Sequence, residues 1–250
     1  MTVTMNQQPK TRSPRSDRGT VRQTARDVHL LTWLSEMYGA PLDLIERLAG
    51  VSRPRAYGLV SRWKKAGWVK SGQVDAGPAW VWPTQSTASA YLERQVTNWR
   101  PALARVAHLR ATAALRLHRV GADLDRWEGE RQLTARYFLK KADKPGHRPD
   151  GVEITGDGRR VAIEVELTAK NAERYWDPVT ESGLLNEVAN AARNAGAQDV
   201  AYWCTRAVRP VLERAIAQYQ RKWGGREVSI RWWLLDIEEV PGWKWSTEAG

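Results

Sequence analysis

Cysteine is almost missing from this chain: Cys204 is alone in 250 residues, and phenylalanine is as rare. One thiol forms no internal disulfide framework and no cysteine-rich zinc module. Apolar runs are short, and none approaches the roughly 18 residues that span a bilayer. The first twenty residues are polar and basic, without the apolar core of a secretory signal, so a cytoplasmic protein away from membranes is expected. No glycine-rich phosphate loop runs into Lys-Ser or Lys-Thr. The four histidines (His29, His108, His118, His147) lack metal-ligand spacing, although His147 sits beside an acidic motif described below. Acids are in deficit: 28 Asp and Glu face 39 Lys and Arg, a formal charge of +11. That balance suggests a polyanionic partner, and charge alone does not separate DNA from RNA or an acidic membrane.

What is present divides the chain into an arm and two expected domains. Residues 1–23 carry Lys10, Arg12, Arg15, Arg18 and Arg22 against only Asp17. Such a segment buries too little apolar surface to fold alone. It reads either as a solvated tail or as a disordered basic arm that follows phosphates.

From Thr24 the apolar spacing turns helical: Val28, Leu31, Leu34 and Met37, widened by Leu30 and Trp33. Tyr38-Gly39-Ala40-Pro41 ends that helix, and a short one follows over 42–48. Gly50 supplies a turn and Ser52 an N-cap for a third helix over 53–66. Ala56, Leu59, Val60 and Trp63 share its inner side, while Arg53, Arg55, Arg62, Lys64 and Lys65 share the other with no acid. A hairpin, 67–70 and 79–83 around a polar loop, completes the set. This order resembles a winged helix-turn-helix, which implies duplex DNA as partner, or else a dimerisation module that touches no DNA. The resemblance places Ser52, Arg53, Arg55 and Tyr57 where side chains reach base edges. Arg62, Lys64, Lys65 and Lys70 are then phosphate contacts. Tyr57 packed against the first helix is the alternative. Residues 84–121 read as mainly helical, with Pro101 at a first helical position and Arg100, Arg105, Arg110, Arg116 and Arg119 on the exposed side. The domain boundary falls at 95–100, giving 24–95 and 96–250.

The sharpest chemistry lies between His147 and Lys170. Strands over 151–155 and 160–168 flank the turn Gly156-Asp157-Gly158. Alternation puts Ala162, Glu164, Glu166 and Thr168 on one face of the second strand and Val161, Ile163, Val165 and Leu167 on the other. Two glutamates sharing an apolar strand must be exposed, protonated, paired or bound to a cation. An odd hairpin loop sets Asp150 opposite Glu164. Val152 and Ile154 then share the carboxylate face, so either helices cover both sides of the sheet or Asp150 precedes regular pairing. Two solvated glutamates on an edge strand are the plain alternative.

Pro149-Asp150, a hairpin and Glu164-Val165-Glu166 ahead of a helix resemble the PD-(D/E)xK nuclease superfamily. The longer pattern, with His147-Arg148-Pro149-Asp150-Gly151 and Val165-Glu166-Leu167-Thr168-Ala169-Lys170 behind an N-terminal winged helix, is similar to the replication-relaxation proteins of actinobacterial plasmids and integrative elements. The resemblance implies an α/β (α+β) chain whose second domain is restriction-endonuclease-like, α-β-β-β-α-β. Its elements would be a helix ending near 121, strands near 127–137, 151–155 and 160–168, a helix over 170–194 and a strand over 199–204. A helix over 209–222 and a strand over 228–235 would follow; its Trp232-Trp233-Leu234-Leu235 run reads as a buried strand, with a protein-binding edge as the alternative. Asp150 and Glu164 match the two acids that bind metal, Mg²⁺ or Mn²⁺ by their hard oxygens. Glu166 stands where most of that superfamily has lysine, and Lys170 offers the missing charge. Glu128 or Glu130 are further carboxylates within the same reading.

The expected function is a DNA-binding protein of a plasmid or mobile element with a metal-dependent nuclease-like domain, acting in replication initiation, relaxation or transfer. The alternative is a regulator or replication accessory factor with an inactive nuclease fold. Either admits a homodimer. A covalent nickase using Tyr137 or Tyr175 ranks below both, because the histidine cluster of such enzymes is missing beside them. Cys204 is expected in the core.

Overall fold

The computed structural model describes residues 22–139, 146–223 and 230–245, a mixed α/β protein with two sheets. Most of the expected basic arm therefore lies outside the described residues. Helix α1 (Ala25–Glu36) starts in a capping box: the Thr24 hydroxyl accepts from the Asp27 amide, and the Asp27 carboxylate accepts from the Thr24 amide. A two-residue strand β1 (Ala40–Pro41) leads into α2 (Leu42–Ala49), which stops at Gly50 with φ 60°. Helix α3 (Arg53–Lys65) follows from Ser52, which holds the N-cap position without a capping hydrogen bond from its side chain.

Strands β2 (Val69–Gly72) and β3 (Trp80–Pro83) form an antiparallel hairpin, and β1 pairs with the other edge of β3. Strand β1 was not foreseen. Gly39 makes it feasible, because a Cβ there would lie 2.4 Å from the Val81 carbonyl. The stretch expected to be mainly helical over 84–121 is two helices, α4 (Gln85–Tyr91) and α5 (Leu103–Val120), with irregular chain between. Pro101 lies two residues ahead of α5 rather than at its first position.

The second sheet holds β4 (Trp127–Gly129), β5 (Gly151–Ile154), β6 (Arg160–Glu166), β7 (Asp199–Cys204) and β8 (Arg231–Asp236), in that spatial order. The pairs β4–β5 and β5–β6 are antiparallel, whereas β6–β7 and β7–β8 are parallel. Helix α6 (Glu130–Leu139) sits between β4 and β5. Helices α7 (Ala172–Tyr175) and α8 (Leu184–Asn194) precede β7, and α9 (Arg209–Trp223) follows it.

Three expectations are corrected. The strand near 127–137 is only three residues long, because the helix-forming run from Glu130 takes over. The helix over 170–194 is broken in two by irregular chain with an Asp177–Ser182 bridge. Strand β8 is the sheet edge rather than a buried strand, and Trp233 is 52% exposed.

Both faces of this sheet are covered, which resolves the tension over Val152. Ile163, Val165, Ala201 and Trp203 belong to the core that also holds Leu31, Trp33 and Trp63 of the N-terminal helices. Ala162, Val200, Tyr202 and Cys204 pack against Tyr175, Leu185, Val188, Leu212 and Ile216 of α7, α8 and α9. Cys204 is buried as expected. Among the described residues no helix is long and apolar enough to cross a membrane.

Candidate functional site

Strands β5 and β6 place the acidic cluster. Their register pairs Gly151 with Ile163 and Ile154 with Arg160, leaving a five-residue loop, an odd number. Asp150 precedes β5 by one residue, and its amide donates to the Ile163 carbonyl at 2.9 Å, so its side chain falls beside Glu164. Gly151 is required there: a Cβ would lie 2.3 Å from the ring of the buried Trp127. β6 is the central strand, so the edge-strand alternative for its glutamates fails. Glu164 is 6% exposed and shares a face with its neighbour Tyr202 of β7.

Two histidines complete the cluster. His108, from α5, meets Asp150 Oδ1 through Nε2 at 2.8 Å, while Asp150 Oδ2 accepts from the Val165 amide at 2.7 Å. His147 meets Glu164 Oε1 through Nε2 at 2.7 Å. The charge of Asp150 raises the His108 pKa, against the effect of burial. Burial also opposes charge on His147, but the Glu164 hydrogen bond and charge prevail and raise its pKa. Burial acts to raise the Asp150 pKa, and the charge and hydrogen bond of His108 with the Val165 amide outweigh it and hold that carboxyl low. Glu164 goes the other way: burial first, then the charge of Asp150, push it up to about 7. At neutral pH this carboxyl can therefore both take and give a proton.

The remaining predicted residues lie alongside. Glu166 is tied to Lys170 in an ion pair, and Lys170 sits in the loop before α7 with its pKa lowered by burial and by Arg174. The Tyr202 hydroxyl is buried with no hydrogen-bond partner among the described residues, and burial and the Glu164 charge push its pKa up. Glu130 reaches Arg105 at 3.4 Å and lines a small cavity of about 20 Å³ with Tyr38, His108 and Asp150. Glu128 is engaged by Arg136 and Arg160 instead. Among the described residues, no three His, Cys, Asp or Glu side chains are grouped so as to hold a metal ion.

His108 is the residue that sequence reasoning missed, since it lies 42 positions from Asp150. Its signal was only a polar side chain interrupting the helical pattern of α5. The basic side expected over 84–121 is exposed at Arg100, Arg105 and Arg119 and is corrected at Arg110 and Arg116, which are buried. Arg110 pairs with Asp43 of α2, Arg116 is fully buried against Glu36 of α1, and Arg119 grips Glu153 of β5 at 2.9 and 3.0 Å.

A second candidate region is α3 with its hairpin. Ser52, Arg53, Arg55, Lys64, Lys65 and Lys70 are exposed, as is Tyr57 at 54%, which excludes its packing on α1. Arg62 is half-buried and in an ion pair with the buried Asp27.

Comparison with protein-family models, curated proteins and solved structures returned no match.

Proposed function

We propose that this chain binds duplex DNA through α3 and the β2–β3 hairpin and sets a nuclease-like site on it. In this reading residues 24–95 are a winged helix, and the second sheet with its flanking helices is a restriction-endonuclease-like domain of the replication-relaxation kind. The observation that carries it is the cross-strand placement of Asp150 against the buried Glu164, with Glu166 at the end of β6 and Lys170 in the loop beyond it. A half-buried Asp150 beside the buried Glu164 is unfavourable unless a cation or protons offset the pair, and burial first, then the Asp150 charge, lift Glu164 to about 7. The chain's +11 charge and the acid-free outer face of α3 suit a phosphodiester substrate.

The cofactor in this proposal is Mg²⁺ or Mn²⁺, which Asp150 and Glu164 would hold. When bound, such an ion lowers the pKa of a coordinated water and offsets charge on phosphate. The donors fit in kind, since both are hard oxygens. Their arrangement fits less well: His108 and the Val165 amide occupy both Asp150 oxygens, and His147 occupies one of Glu164. Those same bonds favour a second reading, a DNA-binding accessory factor whose nuclease fold is an inert scaffold.

A supercoiled plasmid carrying the element's origin separates the two, incubated with Mg²⁺, Mn²⁺ or EDTA. The expected result is metal-dependent nicking, lost by at least about 100-fold in Asp150→Ala and Glu164→Ala while duplex affinity persists. Intact DNA binding without cleavage under any metal leaves the scaffold reading.

A further inference from the structure

The cleft between α1 and α3 gathers cations that the carboxylate site does not use. Arg26 from the first turn of α1, with Arg55 and Arg62 two turns apart on α3, line an open cleft of about 440 Å³ over Val51, Gly58 and Leu59. One acid offsets these three guanidiniums. Asp27 is fully buried and accepts from Thr24 N at 2.9 Å, Trp63 Nε1 at 2.8 Å and the Arg62 guanidinium. Arg62 is thereby fixed in place, and its Nε is buried without a partner among the described residues. Arg26 and Arg55 are exposed and make no ion pair or hydrogen bond among the described residues.

Guanidiniums gathered in this way repel one another unless an anion joins them, and their planar forks match phosphate oxygens. We propose that this cleft is an oxyanion site that seats one backbone phosphodiester of bound duplex DNA. The proposal rests on the DNA-binding reading above and deepens it. It adds Arg26, which the sequence reading did not single out. It also moves Arg55 from base reading to backbone contact, because Arg55 faces α1 on the same flank as Arg62.

The test uses the full chain with Arg26→Gln and Arg55→Gln, both exposed positions, and Arg221→Gln on α9 as control. Arg62 is left intact because it partners the buried Asp27. Duplex affinity is measured by fluorescence anisotropy across a salt series for two unrelated sequences, and sodium pyrophosphate is titrated in parallel. Each cleft variant should flatten the slope of log affinity against log salt by about 0.9, equally for both sequences, with the control unchanged. An unchanged slope in Arg26→Gln, or an altered sequence preference in Arg55→Gln, overturns the proposal. Loss of pyrophosphate binding with DNA binding unaffected also overturns it and makes the cleft a site for small phosphates. If the parent chain binds no duplex at all, the DNA reading itself fails. Pyrophosphate binding that depends on Arg26 and Arg55 would then still support an oxyanion site, and its absence would refute one.

Discussion

Asp27 does three jobs with one buried carboxylate: it caps α1, fixes Trp63 of the α3 core face, and anchors Arg62. Burial acts to raise its pKa, and the Thr24, Trp63 and Arg62 contacts outweigh this and hold it below the usual carboxylate value. Because the folded pKa lies below the unfolded one, its stabilisation is present above the unfolded value near 3.8 and is lost as pH falls through the folded pKa. Asp27→Asn should therefore lower stability by about 2–3 kcal/mol at pH 7, and by progressively less as pH falls below 3.8. Urea unfolding across this pH range checks this, and an equal loss throughout would show that the charge is irrelevant. Single residues also show how far the sequence could be read. Glu164 beside Asp150 followed from alternation and an odd loop, both local properties of one hairpin. His108 and Asp27 were illegible as site and scaffold residues, because their partners lie 42, 35 and 36 positions away and are chosen by packing.

Among the elements, α5 carries the most long-range charge pairing. Its basic residues reach α2 through Arg110, α1 through Arg116 and β5 through Arg119, while its His108 reaches the acidic cluster. The helix itself was legible from apolar spacing and its stop at Gly121. Its surroundings were not: a run of arginines at helical spacing reads as solvated unless the acids that bury it are known. Arg116 and Glu36 approach to 2.7 Å, yet Arg116 Nε, Nη1 and Nη2 and Glu36 Oε2 all lack a well-aligned hydrogen bond among the described residues. Burial lowers the Arg116 pKa and raises that of Glu36, opposing the charge on each. Such a pair is costly to break and cheap to replace. Arg116→Leu alone should destabilise by about 3–5 kcal/mol, and the double variant with Glu36→Leu should recover most of that loss. A double-mutant cycle in urea measures both, and a double variant no more stable than the single would show that the ion pair is itself required.

At the scale of the whole molecule, the expected boundary at 95–100 does not interrupt the core. One cluster of buried side chains runs from Leu31, Trp33 and Trp63 through Ala111 and Leu115 of α5 to Ile163, Val165, Trp203 and Ile237. The C-terminal end of α1 is seated on β4 and α6 as well. A Cβ on Gly129 would lie 3.1 Å from the Glu36 carbonyl, and Arg131 donates to the Ser35 carbonyl at 2.8 Å. Two domains with separate cores would unfold independently, whereas apolar surface and buried charge shared between them couple the transitions. The chain is therefore expected to unfold in one step. Tryptophans report on both halves, with Trp33 and Trp63 on one side and Trp127, Trp176 and Trp203 on the other. Tryptophan fluorescence and far-ultraviolet circular dichroism should give coincident urea curves, with Arg116→Leu shifting the whole transition. A second transition, with only one phase moved by that substitution, would mean that the halves are stabilised separately. The distance from α3 to the acidic cluster would then be free to vary. A single transition ties the two halves into one cooperative unit, and under the proposed DNA-binding reading cleavage would then fall at a constant offset from the site held by α3.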